Sequence, residues 1–213
     1  MARGDQLRAR QSVMNSGTKS RAKFQRVTAD ERRARLIEAS IECLAKDGIQ
    51  GFTVDNICRE AGTSRGLISH HFGSKNALLA AVYSTIYDKV LANLHSLDFG
   101  NATIEALVDT LLSDAIINVR HLNVWLALWA EIAINPSLRA EHRKHYAMYR
   151  EGVARAISII GKSRGTTVDS YEVATSFISL VDGLWLEQSI DPTVLSSQRA
   201  RELCLFFLRK TVQ

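Results

Sequence analysis

Hydrophobic residues recur every three or four positions through most of the chain, which is the period of an amphipathic α-helix. The first clear example follows Thr28-Ala-Asp-Glu31, a capping box in which a hydroxyl and a carboxylate satisfy the free amides at a helix start. No segment alternates apolar and polar residues as a half-buried strand does, and no repeat is present. The pattern predicts an all-α protein of about nine helices.

Short helical segments near the start of the chain are joined by tight turns. Thr53 is placed to cap a helix over 54–61, and Gly62-Thr63-Ser64 breaks it before a further helix at about 64–72. Two helices joined by a glycine-containing turn are typical of a helix-turn-helix, which we place at about 52–72. The same geometry also fits an ordinary helical corner. The residues on the surface of the second helix must therefore distinguish a DNA-binding motif from such a corner.

The chain is predicted to form a smaller domain over 28–79, followed by a larger helical domain over 80–213. Ser74 caps a long fourth helix that joins the two. The helices expected after it are bounded by capping or breaking residues and cover about 103–119, a tryptophan-rich stretch ending at 134, 136–160, 169–190 and 194 to the end.

The charge of the chain is concentrated at its N-terminus. Residues 1–27 hold seven basic side chains against Asp5, whereas the whole chain carries +5, so the remainder is close to neutral. The serine and glycine content of this segment predicts a basic flexible arm. Such an arm is either a solvated tail or a contact to DNA phosphates or the minor groove.

Several classes of protein are excluded by composition. The longest dense apolar stretch, 122–134, is too short to span a bilayer, and the start of the chain lacks the apolar core of a secretory signal. Cys43, Cys58 and Cys204 lie in separate helical patterns and are expected to be buried, reduced thiols. We therefore expect a cytoplasmic protein without a membrane partner.

The segment from Thr63 to Phe72 combines an apolar side with an outward face suited to DNA. Leu67, Ile68 and Phe72 are expected to pack inward. The opposite face carries short hydrogen-bonding groups, an arginine and two histidines, which suit base edges and phosphates in a major groove. A glycine inside this helix costs about 1 kcal/mol relative to alanine, which is understandable where the backbone lies close to another helix or to DNA. The candidate DNA-binding residues are Thr53, Thr63, Ser64, Arg65, Gly66, Ser69, His70, His71 and Lys75.

These motifs resemble those of the TetR family of transcription regulators. The resemblance is carried by Phe52-Thr-Val-Asp-Asn-Ile57, Ala61-Gly-Thr-Ser64, His71-Phe72 and Lys75. Ser69 stands where the family often has tyrosine, and Asn76 where it often has glutamate. The resemblance implies a helix-turn-helix domain that binds double-stranded operator DNA, with a helical domain that binds a small-molecule effector.

Ile68-Ser-His-His-Phe72 is similar to the BetI-type branch, the choline-responsive repressors of glycine-betaine synthesis. Trp125-Leu-Ala-Leu-Trp129, Asn135-Pro-Ser-Leu138 and Asp182-Gly-Leu-Trp-Leu186 also resemble segments of that branch. The resemblance implies that choline or another quaternary ammonium compound releases the repressor from its operator. It also implies a homodimer through the last two helices, in agreement with Leu203-Cys-Leu-Phe-Phe-Leu208, which is apolar around the whole helix.

Tryptophans suit this ligand because a quaternary ammonium group donates no strong hydrogen bond and is bound by aromatic faces. Trp125 and Trp129 are four residues apart and share a helix face, while Trp185 lies two helices later. Tyrosines can add walls and a carboxylate a countercharge. The candidate ligand-binding residues are Trp125, Trp129, Glu131, Tyr146, Tyr149, Asp182 and Trp185.

Other interpretations remain open at this stage. A TetR-like regulator could respond to a different cation or to a lipophilic compound. The chain could also be a nonspecific nucleic-acid binder. A third alternative is a helical enzyme in which the helix-turn-helix has no function. No phosphate loop, HExxH or GxSxG motif supports an enzyme, and no cofactor or metal site is expected. His142 and His145 could be ligands, but Arg143 and Lys144 between them favour a solvated basic face.

Overall fold

The computed structural model describes residues 28–113 and 119–213, with the side chains of 119–121 left out. The predicted basic arm, residues 1–27, lies outside these ranges. Within them the chain is all-α, as predicted, with a single 3₁₀ turn at Phe99–Asn101 and no strand. The nine α-helices of the described residues are α1 Ala29–Gly51, α2 Val54–Ala61, α3 Arg65–Phe72, α4 Lys75–His95, α5 Ile104–Leu111, α6 Val119–Ile134, α7 Pro136–Ser163, α8 Ser170–Ile190 and α9 Ser197–Thr211.

The predicted caps set the limits of the first helices. The amide of Glu31 donates to Thr28 Oγ1 at 3.1 Å and the amide of Thr28 donates to the Glu31 carboxylate at 2.7 Å, so the capping box is complete. The side chain of Thr53 caps α2 and that of Ser74 caps α4. Gly62 ends α2 in the left-handed conformation with φ 61°. This turn lets α3 leave α2 at an angle and present one face outward.

Two predicted boundaries in the second half were wrong. The fifth helix was expected to reach 119 but ends at Leu111. The side-chain amide of Asn93 donates to the Thr110 carbonyl at 2.7 Å and joins this end of α5 to α4. The ninth helix was expected from 194 but begins at Ser197, where the hydroxyl of Ser196 caps it.

Helix α4 belongs to both predicted domains. It follows α3 after only Gly73 and Ser74, contacts α1, and then packs along α7 for much of its length. Its inward residues are part of one continuous hydrophobic core that also includes α1, α6 and α8. The recognition element and the larger domain are therefore joined by a rigid helix rather than by a linker.

The last two helices leave apolar side chains on the surface. On α9 the structure buries Cys204, Leu205 and Leu208, yet Phe206 is 63% exposed. Ile190, at the end of α8, is 65% exposed. Two ion pairs hold α9 to α5, Arg201 with Asp109 at 2.6 Å and Arg209 with Glu105 at 2.8 Å. Because one side of α9 is fixed in this way, its opposite side is presented to the surroundings.

The three cysteines are buried and free, as predicted. Among the helices of the described residues, none has the length and hydropathy needed to cross a membrane.

The two glycines of the helix-turn-helix are predicted to behave oppositely when replaced. Gly62→Ala places a Cβ in the left-handed region and should lower the free energy of unfolding by about 1–2 kcal/mol. Gly66→Ala adds a Cβ that meets nothing within 4 Å inside α3 and should raise it by about 0.5–1 kcal/mol. Urea unfolding of both variants checks this, and equal effects of the two substitutions would contradict it.

Candidate DNA-binding and effector-binding sites

The outward face of α3 is formed largely as predicted from the sequence. Ser64, Arg65, Gly66, Ser69 and His70 are exposed, and Thr63 is half-buried. His71 differs from the prediction, because its ring is half-buried and its Nε2 atom is enclosed without a hydrogen-bond partner in the described residues. His71 therefore presents less of its surface outward than the helical spacing indicated.

Arg65 is held at the start of α3 by an ion pair with Asp55 of α2, at 2.5 Å. Both side chains are largely exposed, so this pair contributes little to stability. Its effect is positional, because it directs the guanidinium along the solvent side of the helix-turn-helix. Gly66 follows directly, and its backbone is open to approach from outside because no atom lies within 4 Å of the position of a Cβ.

The structure places Lys75, a candidate DNA-binding residue, close to the start of α2. Lys75 Nζ donates to the carbonyl of Phe52 at 3.4 Å and lies 5.7 Å from the centre of the Phe52 ring. Phe52 precedes Thr53, the N-cap of α2, so the ammonium group stands near a helix N-terminus. A positive charge beside free helix amides is an arrangement suited to a phosphate group.

A cavity of about 590 Å³, including its open mouth, lies inside the larger domain between α4, α5, α6, α7 and α8. Six of the seven residues predicted to bind ligand line it. The lining residues are Tyr87, Val90, Leu111, Trp125, Trp129, His142, Tyr146, Tyr149, Val181, Asp182 and Trp185.

The aromatic rings of this cavity meet at steep angles. The ring centroids of Trp129 and Trp185 are 5.6 Å apart with an interplanar angle of 86°, and those of Tyr87 and Trp125 are 5.2 Å apart at 90°. Trp125 and Trp129 are 6.3 Å apart at 38°. Rings held edge to face in this way point several π faces in different directions, as is needed to surround a compact cation.

Asp182 supplies the charge of the cavity. Among the described residues that line the cavity it is the one carboxylate, and no lysine or arginine is present to neutralise it. Burial raises the pKa of Asp182 to about 6. The carboxylate is therefore ionised at neutral pH but poorly solvated, so a cation that entered the cavity would gain a strong electrostatic partner.

Glu131 was predicted as an alternative countercharge, but the structure does not bring it to the cavity. It follows Trp129 by two residues and Trp125 by six, which are rotations of about 200° and 240° around α6. Its side chain therefore leaves the helix on a different side from both tryptophans.

Sequence reasoning missed Tyr87, and it misplaced His142 and His145. His142 lines the cavity and His145 is buried, although a solvated basic face was expected here. The signal was present, because both histidines continue the inward stripe between Leu138 and Tyr149 at steps of three or four residues. Arg143 and Lys144, which suggested solvent exposure, point to the other side of α7 and are exposed.

Further buried aromatic groups pack behind the cavity wall. Tyr83 of α4 is fully buried, and its hydroxyl lies 2.8 Å from His142 Nδ1. Its ring meets those of Trp125 at 6.2 Å and His145 at 5.8 Å, both close to perpendicular. Nδ1 of His145 donates to the carbonyl of Glu141 at 2.9 Å. These contacts fix the His142 side of the cavity against α4.

Comparison with known proteins assigns both halves of the chain. Residues 36–82 match the family model described as bacterial regulatory proteins of the tetR family. Residues 101–213 match the model described as the C-terminal domain of a BetI-type transcriptional repressor. The two matches cover the helix-turn-helix and most of the helices that surround the cavity.

Individual relatives agree with this assignment. The HTH-type transcriptional regulator BetI of Escherichia coli K12 is 31% identical over 183 residues, which is 83% of this chain and 92% of the relative. The solved structure of a Rhodococcus sp. Rha1 transcriptional regulator has a TM-score of 0.74 and 26% identity, covering 85% of this chain and 96% of that one. A Saccharomonospora viridis protein solved in complex with choline has a TM-score of 0.70 and 25% identity, covering 84% and 96%.

These relatives are transcription regulators, so the alternative of a helical enzyme is excluded. Family, fold and the outward face of α3 all indicate DNA binding, and the cavity lies in the part of the chain that matches the repressor model. The chain belongs to the TetR family, as a DNA-binding transcriptional repressor with a BetI-type C-terminal domain.

Proposed function

We propose that this repressor responds to choline or a closely related quaternary ammonium compound and controls genes for the synthesis of glycine betaine from choline. The observation that carries the proposal is the cavity, in which several aromatic faces surround one poorly solvated carboxylate without a neighbouring lysine or arginine in the described lining. Support also comes from the E. coli relative named BetI and from the choline complex of the S. viridis protein.

The chemistry of the cavity favours a cation that carries no carboxylate. Asp182 would attract choline or betaine aldehyde, whose net charge is positive. Glycine betaine has the same trimethylammonium group but also a carboxylate, which Asp182 would repel and which no lysine or arginine of the described lining could pair. The cavity is thus suited to detect the precursor rather than the product.

The repressor would act as a cytoplasmic homodimer on palindromic operator DNA. Exposed apolar residues on α8 and α9, including Phe206 and Ile190, support dimerisation through these helices. Two α3 helices spaced by about 34–36 Å would enter successive major grooves. Effector binding would favour a packing in which α4 tilts and this spacing changes, and a hundredfold loss of operator affinity needs only about 2.7 kcal/mol.

The decisive experiment is isothermal titration calorimetry of the full chain with choline, betaine aldehyde, glycine betaine and an unrelated lipophilic cation. Choline or betaine aldehyde should bind with measurable heat and glycine betaine much more weakly. Heat from the lipophilic cation alone would favour a TetR-family regulator with a different effector, and no heat with any quaternary ammonium compound would reject the choline hypothesis.

Choline affinity is predicted to fall as the pH is lowered through about 6. The pKa of Asp182 is raised to about 6 by burial, so the carboxylate that binds the cation is present above this pH and lost below it. Affinity at about pH 5 should be roughly tenfold weaker than at pH 7, since only about one carboxyl in ten is then ionised. Protonation of His142, whose pKa burial lowers, would add to the loss at more acidic pH. Calorimetry across this range measures the effect.

Asp182→Asn tests the same carboxylate, because it keeps the shape of the side chain and removes its charge. It should bind choline far more weakly, and the pH dependence near 6 should disappear. Its fold should be more stable at pH 7 by about 1–3 kcal/mol, because ionising a carboxyl with a raised pKa costs folding free energy above that pKa. Unchanged choline binding by this variant would show that Asp182 is not the countercharge.

The proposed DNA-binding face predicts that two substitutions weaken DNA binding in distinguishable ways. Ser69→Ala should weaken binding to an operator selected from a random pool by about 1–3 kcal/mol, with little effect on scrambled DNA, because it removes a base contact. Lys75→Ala should weaken binding to both DNAs and reduce the salt slope by about 1, because it removes a phosphate contact. Gel-shift titrations at two salt concentrations separate the two effects.

Lys89→Ala, which changes an exposed lysine further along α4, is the control and should leave DNA binding unchanged. A wild-type protein without sequence preference would indicate a nonspecific nucleic-acid binder.

Dimerisation through α9 is predicted to depend on its exposed apolar side. Phe206→Asp should yield a folded monomer, because the side chain is already 63% exposed in the isolated chain and a buried charge is costly only across an interface. Sedimentation velocity reports the mass and circular dichroism the helical content. Met148→Asp, an exposed apolar residue on α7, serves as the control and should leave the oligomeric state unchanged. A Phe206→Asp protein that remained dimeric would place the interface elsewhere.

A further inference from the structure

A buried hydroxyl behind the cavity wall joins two residues that line the cavity. The hydroxyl of Tyr83 lies 2.8 Å from Nδ1 of His142. It also hydrogen-bonds the hydroxyl of Tyr87, whose ring centroid is 4.8 Å from that of Tyr83. Tyr87 and His142 line the cavity, whereas Tyr83 is fully buried behind them. The three side chains therefore form a chain of hydrogen bonds whose two ends both lie in the cavity wall.

This chain of hydrogen bonds carries no net charge at physiological pH. Burial raises the pKa of Tyr83 and of Tyr87 well above the ordinary value of a phenol, so both keep their protons. Burial lowers the pKa of His142, so its imidazole is neutral, with one nitrogen that donates and one that accepts. The hydroxyl of Tyr83 has one hydrogen and two partners, so it donates to one partner and accepts from the other.

Either direction of these hydrogen bonds leaves one donor and one acceptor for the cavity. If Tyr83 donates to Nδ1 of His142, the Nε2–H group is the remaining donor and Tyr87 offers its oxygen as an acceptor. If His142 donates through Nδ1, its Nε2 atom becomes the acceptor and Tyr87 keeps its hydrogen for another partner. Among the described residues, Nε2 of His142 has no hydrogen-bond partner and is not one of the enclosed atoms. It is therefore accessible to a molecule in the cavity.

We infer that the hydroxyl of a quaternary ammonium alcohol closes this chain into a ring, accepting a hydrogen bond from one end and donating one to the other. The inference rests on the proposed function, since it concerns the oxygen end of the same effector. A hydroxyl satisfies both ends, whereas an ether oxygen satisfies only the donor end and an alkyl group leaves a buried donor unpaired. The cavity therefore selects an alcohol over an ether, and an ether over an alkyl cation.

The position of Asp182 agrees with this arrangement. Burial is the main cause that raises the pKa of Tyr87, and the negative charge of Asp182 adds to it, so the carboxylate lies near the Tyr87 end of the chain of hydrogen bonds. In choline the hydroxyl is separated from the nitrogen by only two carbon atoms. An ammonium group held by Asp182 thus leaves the hydroxyl close to the side of the cavity that Tyr87 and His142 form.

Two matched pairs of cations measure what the oxygen contributes in the wild-type protein. Propyltrimethylammonium replaces the hydroxyl of choline by a methyl group, and butyltrimethylammonium replaces the ether oxygen of O-methylcholine by a methylene group. Each hydrogen bond should contribute about fivefold in affinity. Calorimetry should therefore give a choline-to-propyl affinity ratio of about 25 and an O-methylcholine-to-butyl ratio of about 5.

Tyr87→Phe removes one end of the chain of hydrogen bonds and keeps the ring. Tyr83 then donates to His142, whose Nε2–H group still bonds either ligand oxygen, but the hydroxyl of choline loses its acceptor. The choline-to-propyl ratio should fall about fivefold, to the value of the ether pair. The ether ratio and the affinity for propyltrimethylammonium should stay close to wild type. A merely structural role of Tyr87 would instead lower the affinity for all four cations alike.

His142→Phe removes the opposite end and should likewise make the two ratios equal, so the test does not depend on the folding of a single variant. Tyr171→Phe is the matched control, because it removes an exposed hydroxyl of α8 that does not line the cavity. It should keep both wild-type ratios.

The outcomes distinguish this inference from the proposed function. If choline binds but Tyr87→Phe and His142→Phe retain the wild-type choline-to-propyl ratio, the hydroxyl is bound elsewhere in the cavity. The inference is then wrong while the proposed function stands. Equal ratios for the two pairs in the wild-type protein would also overturn the inference. If none of the four cations binds the wild-type protein, the proposed function fails and the inference falls with it.

Discussion

The packing of α4 along α7 is the contact on which the remaining features depend. The N-terminal end of α4 carries the recognition helix, its middle forms one wall of the cavity, and its inward residues belong to the continuous core. Because protein cores are close-packed, side chains along this contact cannot move independently of their neighbours. The separation of the chain into a DNA-binding part and an effector-binding part is thus one of function, while the core that joins them is shared.

The cavity contains a carboxylate whose burial costs stability. An aspartate placed among tryptophans and tyrosines loses hydration, and no lysine or arginine of the described lining restores what it loses. A protein selected only for stability would pair this charge or replace it. The arrangement becomes reasonable when the missing partner is a ligand, because a cation with no strong hydrogen-bond donor then finds both a countercharge and aromatic faces.

The two histidines of α7 were predicted to be exposed because of the polar residues next to them in the sequence. His142-Arg-Lys-His145 contains four consecutive polar residues, and a run of this kind usually indicates a solvated surface. The run covers a full helical turn, so it necessarily includes inward positions. Those positions are filled by the two histidines, whose rings contact those of Tyr83 and Tyr87 and whose nitrogen atoms can hydrogen-bond a buried hydroxyl. Periodicity was a better guide here than local polarity.

The sequence by itself determined the elements whose causes are local. The capping box at Thr28, the caps at Thr53 and Ser74, the stop at Gly62 and the Asn135-Pro136 start of α7 each depend on a few adjacent residues, and all appear in the structure. The outward face of α3 followed from helical spacing for the same reason, apart from the degree to which His71 is buried.

The tertiary structure alone decided which side chains meet. The end of α5 is joined to α4 by the hydrogen bond from the Asn93 side-chain amide to the Thr110 carbonyl. Asp182 lines the cavity and Glu131 does not, because the rotation of each helix about its axis is set by packing against several neighbours. The bond between Tyr83 and His142 joins residues far apart in the chain. No local pattern encodes such contacts, because they depend on how whole helices are arranged to fill a common core.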